Sequence, residues 1–228
     1  MKKEIKILGA IAVVVVIAAI VGANYYRSSI QNQRVTTNSN TNKGTVNTEN
    51  LIRPDSPTLG AANAPVTVVE FLDPECEACA AFHPVVKKLL KDYDGKIRLV
   101  VRYMPLHPNS LTAATFTEAA GEQGKYWQAQ EMLFQKQPEW GTKHGEPSGL
   151  QADVDSYFKE YAMELGLDLN KMDAAFAENR YQAKIQRDLK DGQALGVRQT
   201  PTFFVNGRRL VRFSEADLRA LVEEELKK

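Results

Sequence analysis

The cysteines constrain this chain most: Cys76 and Cys79 are the only two among 228 residues, and they stand between two structural patterns. An apolar, β-branched run over residues 66–72 predicts a buried strand before them, and residues 80–92 continue as a helix. A helix N-terminus has unpaired N–H groups and partial positive charge, which favour a thiolate on the first cysteine. The second cysteine lies within reach to close a disulfide. The junction therefore favours thiol–disulfide exchange.

A CxxC pair is also half of a zinc site, so a metal-binding interpretation stands beside the redox one. His83 follows Cys79 by four residues and could share a helix face with both cysteines. A structural zinc usually takes four protein ligands, but there is no third cysteine, and the other two histidines, His107 and His144, lie outside ligand spacing. We therefore predict a redox pair and no metal or cofactor.

The N-terminus predicts the compartment. Residues 7–26 carry no charge and follow Lys2, Lys3 and Lys6. At ~1.5 Å per residue, such a helix reaches about 30 Å and could span a bilayer, with the lysines in the cytoplasm. We predict a membrane anchor or signal segment over residues 1–27 and an extracytoplasmic domain beyond it. Small residues at 21–23 leave a cleaved signal peptide as the alternative.

The remainder divides into a polar linker over residues 28–58 and one α/β domain over residues 59–228. The pattern over residues 66–104 predicts a parallel βαβ unit, and the pattern over about residues 107–195 predicts a helical insert. A hairpin around residues 206–207 and a helix from Ser214 follow, which completes a ββα unit. Residues 138–149, rich in proline and glycine, predict a loop. The net charge of +1 and the lack of a basic stripe argue against nucleic-acid binding.

Two further features are candidates for the same site. Glu70 lies in the apolar strand, where burial would raise its pKa and let it exchange a proton with Cys79; an exposed or edge position is the alternative. Thr200 and Pro201 precede the hairpin. A cis bond there would present a backbone edge to an extended substrate beside Cys76, whereas an ordinary trans proline is the alternative.

Taken together, these motifs resemble the DsbA family of bacterial extracytoplasmic thiol–disulfide oxidoreductases, which have the thioredoxin fold. The resemblance covers about residues 55–228 and is carried by Ser56-Pro57-Thr58-Leu59-Gly60, Ala64-Pro65-Val66-Thr67-Val68-Val69-Glu70-Phe71, Cys76-Glu77-Ala78-Cys79, Phe82, Pro84, Pro105-Leu106-His107-Pro108-Asn109, Gly196-Val197 and Thr200-Pro201-Thr202-Phe203-Phe204-Val205-Asn206-Gly207. It implies a thioredoxin-like fold, with βαβ and ββα units around the helical insert.

The resemblance also implies roles for individual residues. Cys76 would be the attacking and leaving cysteine, Cys79 the resolving one, Glu70 the buried acid and Pro201 the cis-proline. Arg98 and Arg102 are candidate partners of the buried acid.

The implied function is exchange with the cysteines of exported proteins by a monomer that a quinone-linked membrane oxidase re-oxidises. Two alternatives remain open. The first is an anchored reductase, for example of apocytochrome thiols, served by a membrane electron donor. The second is a peptide-binding module without catalysis.

The chain departs from the family pattern between the cysteines. Strongly oxidising members carry a histidine there, whereas this sequence has Glu77 and Ala78, with Asp73 and Glu75 close by. Negative charge disfavours a thiolate, and a less stable thiolate gives a less oxidising disulfide. We therefore predict a milder oxidant than those members.

Overall fold

The computed structural model describes residues 50–142 and 153–228. In this part of the chain, five strands form one sheet and eight helices surround it. The strands are β1 (Thr58–Gly60), β2 (Val66–Leu72), β3 (Ile97–Tyr103), β4 (Thr202–Val205) and β5 (Arg208–Arg209). The helices are α1 (Glu77–Asp92), α2 (Ser110–Glu122), α3 (Tyr126–Gln135), α4 (Gln137–Trp140), α5 (Val154–Glu164), α6 (Leu169–Ala177), α7 (Gln182–Ala194) and α8 (Glu215–Leu226).

The sheet order is β1-β3-β2-β4-β5, so β2 is the central strand. β2 pairs in parallel with β3 and antiparallel with β4, and six of its seven residues are buried. A strand covered on both faces needs a continuous apolar run, and this explains its composition. The predicted α/β order of βαβ, helical block and ββα is confirmed.

Three apolar clusters form the core. One lies between the sheet and α1 and contains both cysteines, with residues of α8 at its edge. A second covers the opposite face of the sheet and includes Phe71 and Phe204. The third fills the helical block around Phe116, Trp140 and Phe158. The cysteine pair therefore sits where α1 begins above the central strand.

The start of the folded domain differs from the prediction. Residues 50–58 were assigned to the linker, but the side chain of Leu51 is buried, and Arg53 Nη2 lies 2.8 Å from Asp191 Oδ1. β1 then pairs antiparallel with β3 and ends at Gly60, whose φ is +105°. A Cβ atom there would lie 2.7 Å from the Ile97 carbonyl oxygen, so this close approach requires glycine. Three residues carry too little periodicity to predict such a strand.

The described helices between the βαβ and ββα units, α2 to α7, lie within residues 110–194. Residues 138–149 predicted a loop, but Gln137–Trp140 form a short helix that buries the Trp140 ring. Pro138 is tolerated because it occupies the first turn, where its missing N–H would have no partner in the helix. The helix α8 begins as predicted, since the Asp217 N–H donates to Ser214 Oγ over 3.1 Å.

The predicted membrane segment over residues 7–26 and most of the linker lie outside the described residues. Within residues 50–142 and 153–228, no helix has the length and apolar character needed to cross a membrane.

Candidate active site

Cys76 is the N-cap residue of α1, with extended backbone angles (φ −74°, ψ 119°). The Ala80 N–H donates to the Cys76 carbonyl over 3.1 Å and closes the first helical turn. The helix therefore directs its free N–H groups toward the Cys76 sulfur. Cys76 retains 7% of its exposure, whereas Cys79 has none. Both cysteines are thiols here, and only Cys76 can meet a partner.

The two thiols differ in acidity. A hydrogen bond with the Cys79 side chain is the main cause that lowers the pKa of Cys76. Hydrogen bonds with the Thr200 side chain and with the backbone N–H groups of Cys79 and Ala78 lower it further. Burial raises the pKa of Cys76, but the hydrogen bonds outweigh it and the pKa is lowered to about 6. Burial is the main cause of the opposite shift at Cys79, whose pKa is raised well above its ordinary value. A nucleophilic thiolate on Cys76 and a protonated thiol on Cys79 result.

The loop before β4 lies against Cys76. The Thr200–Pro201 peptide bond is cis, and the Cys76 thiol donates to the Thr200 carbonyl oxygen over 3.3 Å. Pro201 is buried, while Thr200 is partly exposed. The backbone of Thr200 therefore lies beside the Cys76 sulfur.

Glu70 is a buried carboxyl in the middle of the sheet. It lies on central strand β2, opposite Val101 and Phe203, with 3% of its surface exposed. The alternative of an edge or exposed position is therefore wrong. Burial is the main cause that raises the pKa of Glu70 to about 8, and negative charge on Cys76 adds to it. The carboxyl is mostly neutral at pH 7 and can give or take a proton close to that pH.

Neither candidate arginine partners Glu70. Arg102 is fully buried, and its Nη2 lies 2.8 Å from Asp188 Oδ1 and 2.5 Å from Asp191 Oδ2. Arg98 Nε donates to the Thr67 hydroxyl over 2.9 Å. Strand alternation explains why Arg102 does not reach Glu70. Its side chain packs over the Phe71 ring, which is on the face of the sheet opposite to Glu70.

Two buried acids before the cysteines connect the site to the helical block. Asp73 accepts hydrogen bonds from Ser110 Oγ at 2.5 Å and from the Leu106 N–H at 2.7 Å, and it forms an ion pair with His107. Glu75 accepts from the N–H groups of Asn109 at 2.6 Å and Thr142 at 2.8 Å, among other donors. The two carboxylates close to the cysteines thus accept hydrogen bonds from residues that follow β3.

His107 lies at the site, although the sequence predicted no role for it beyond its place in the motif of residues 105–109. As a metal ligand it is excluded by its spacing. Its Nδ1 lies 2.7 Å from Asp73 Oδ2, with 31% of its side chain exposed. The motif of residues 105–109, which follows β3 at the same edge of the sheet as the cysteines, was the available signal.

The remaining predicted residues occupy the first turns of α1. Glu77 and Ala78 are exposed between the cysteines. His83, from the zinc interpretation, packs on Phe134 with ring centroids 5.1 Å apart, and burial lowers the pKa of its imidazole. Among the described residues, no group of three or more His, Cys, Asp or Glu side chains is placed to hold a metal ion.

Comparison with known proteins agrees with this geometry. A family model described as thioredoxin matches residues 53–224, so the chain belongs to the thioredoxin family. A thioredoxin-like oxidoreductase from Silicibacter pomeroyi is 28% identical, with a TM-score of 0.66 over 80% of this chain and 99% of that one. Wolbachia pipientis α-DsbA1 shares the fold, with a TM-score of 0.67 and 20% identity over 78% of this chain and 94% of that one. The chain therefore has the thioredoxin fold in the arrangement that these two structures share.

Curated relatives match over a smaller part of their own length. The Na⁺/H⁺ antiporter NhaA 3 of Salinispora tropica is 39% identical over 153 residues, which are 66% of this chain and 21% of that protein. The chain thus spans about a fifth of the length of the curated relatives it matches.

Proposed function

We propose that this protein exchanges disulfides with cysteines of exported proteins outside the cytoplasm, with Cys76 as the exchanging sulfur and Cys79 as the resolving one. The position of the pair carries the proposal, because Cys76 caps α1 and can meet a partner whereas Cys79 is fully buried. Exchange needs one stable thiolate and one that is released and reprotonated, and the lowered pKa of Cys76 and the raised pKa of Cys79 fit these two roles. The half-exposed position of Thr200 beside Cys76 supports it, since an extended substrate can pair there with the backbone.

In the oxidising direction, a substrate thiolate attacks the Cys76 sulfur of the Cys76–Cys79 disulfide. The S–S bond breaks, a mixed disulfide forms on Cys76, and Cys79 leaves as a thiolate. The neutral Glu70 carboxyl returns a proton to Cys79, for which its raised pKa of about 8 suits it. A second substrate thiolate then attacks the substrate sulfur and releases Cys76 as a thiolate. The substrate loses two electrons and the cysteine pair gains them.

The pair must be re-oxidised after each cycle, and the predicted anchor would place it beside a membrane partner. If the protein donates disulfides, the partner is a quinone-linked oxidase that re-oxidises the pair. If the protein works as a reductase, the partner is a membrane electron donor that reduces it. The extracytoplasmic location rests on the charge pattern of residues 1–27. It is consistent with the use of cysteine only as one pair.

A trapping experiment tests the proposal. The full-length Cys79→Ser variant should accumulate mixed disulfides through Cys76, seen as high-mass species on non-reducing gels that dithiothreitol removes. Cys76→Ser is the matched control and should trap nothing. Equal trapping by both variants would refute the assigned roles, and trapping of cytoplasmic proteins alone would refute the location.

A further inference from the structure

We propose that His107, held as an imidazolium by the Asp73 carboxylate, is the positive charge that favours the Cys76 thiolate in this chain. The inference deepens the proposed function and rests on it. The two positions between the cysteines are Glu77 and Ala78, and neither side chain can supply a positive charge. The charge would come instead from the loop that follows β3, 31 residues after Cys76 in the chain.

The Asp73 carboxylate is built to hold this imidazole. It is fully buried, and its Oδ2 accepts from the Leu106 N–H and lies 2.7 Å from His107 Nδ1. Its Oδ1 accepts from the Glu75 N–H at 2.9 Å and from Ser110 Oγ at 2.5 Å. A carboxylate with four such contacts acts as an acceptor throughout, so Nδ1 of His107 is the donor. The proton that charges the ring is then gained at Nε2.

The same residue links the imidazole to the nucleophile. The Cys76 N–H donates to the Asp73 carbonyl oxygen over 3.1 Å, so the acid that orients His107 also fixes the N-cap of α1. Asp73 is therefore the positioning residue, and His107 acts on the sulfur through its charge. Its 31% exposure lets the ring take up a proton from solvent.

Among the described residues, the charged groups with the largest effect on the imidazole are Asp73, Cys76 and Glu75, on the segment between β2 and α1. Burial lowers the pKa of His107, but Asp73 first, then Cys76 and Glu75, raise it above its ordinary value overall. Between about pH 6, where Cys76 ionises, and the raised pKa of His107, thiolate and imidazolium coexist. Each stabilises the other, so the coupling must be reciprocal.

This reciprocity gives a test that needs no substrate. In the disulfide form Cys76 carries no charge, so the pKa of His107 should fall on oxidation, by up to about one unit. Proton NMR titration of the full-length chain in both redox forms measures it, with the His107 resonance identified by its absence in His107→Gln. The resonance of His83 should shift much less. An unchanged pKa for His107 would overturn the proposal.

Variants test the effect on the nucleophile. In His107→Gln, the pH midpoint of Cys76 alkylation should rise by about one unit. At pH 7 this rise makes the equilibrium constant for reduction of the disulfide about fivefold smaller. The reduction potential of the pair should then be lower, that is, more reducing, by about 20 mV. His107→Lys should keep much of the low midpoint, whereas His83→Gln should leave it unchanged.

The outcomes separate this inference from the proposed function. If His107→Gln slows exchange but leaves the alkylation midpoint in place, His107 has only a structural role and the proposal fails. If the midpoint shifts while wild-type protein exchanges no disulfides, the electrostatic pair stands and the proposed function fails.

Discussion

Replacement of the buried carboxyl by Glu70→Gln should change how stability depends on pH. Glu70 has a pKa of about 8 in the folded chain against an ordinary 4.5, mainly because it is buried. Between these values the native state holds a proton that the unfolded chain releases. Its contribution to stability is complete below pH 4.5 and is lost progressively as the pH rises to about 8.

The size of the effect follows from this window. One bound proton changes the free energy of unfolding by about 1.4 kcal/mol per pH unit. From pH 5.5 to 7.5, wild type should therefore lose about 3 kcal/mol relative to Glu70→Gln. Cys76 also titrates in this range, but it is present in both proteins and largely cancels in the difference.

Urea unfolding of the reduced full-length chain, followed through Trp127 and Trp140, measures this difference at a series of pH values. Glu160→Gln, which removes an exposed carboxyl on α5, is the matched control and should run parallel to wild type. Parallel curves for wild type and Glu70→Gln would refute the argument that burial keeps this carboxyl neutral.

Three further outcomes are expected. Alkylation of reduced protein should occur at Cys76 with a midpoint near pH 6, while Cys79 stays unreactive; comparable reaction at both sulfurs would contradict the burial difference. Glu77→His should make the pair more oxidising in glutathione buffers, by about 30 mV for a tenfold more stable thiolate; an unchanged or lower potential would contradict the role given to this position. Arg102→Met should cost about 3–5 kcal/mol in denaturant unfolding, because it removes the buried cation 2.8 Å from Asp188 and one of the two arginine partners of Asp191; a loss no larger than that of Arg98→Met would contradict this.

Local patterns were enough to predict the frame of the site. The run Val66–Leu72 and the helical pattern after it are long and strongly apolar, so their type and parallel pairing with β3 followed from the sequence. The position of Cys76 at the helix N-terminus followed as well. The lowered pKa of Cys76 did not, because besides the bond with Cys79 it depends on the side chain of Thr200, which lies 124 residues away in the chain.

Side chains that meet across long separations were the part that could not be predicted. Arg102 was predicted as a partner of Glu70 but pairs with Asp188 and Asp191. The register between β2 and β3 decides which side chains share a face of the sheet, and the spacing of residues in the sequence does not reveal that register. His107 was judged by its spacing from the cysteines, yet it reaches the site through Asp73. Such contacts depend on which loops the fold brings to one edge of the sheet.

The most direct test of the central claim is the equilibrium reduction potential of the Cys76–Cys79 pair, measured against glutathione buffers at pH 7. The pKa of about 6 at Cys76 lies between about 7 for thioredoxin and about 3.5 for DsbA. We therefore expect a reversible two-electron equilibrium between about −270 and −120 mV, the potentials of those two proteins. A pair that does not equilibrate with glutathione, or one at or below the thioredoxin value, would contradict a mild disulfide donor.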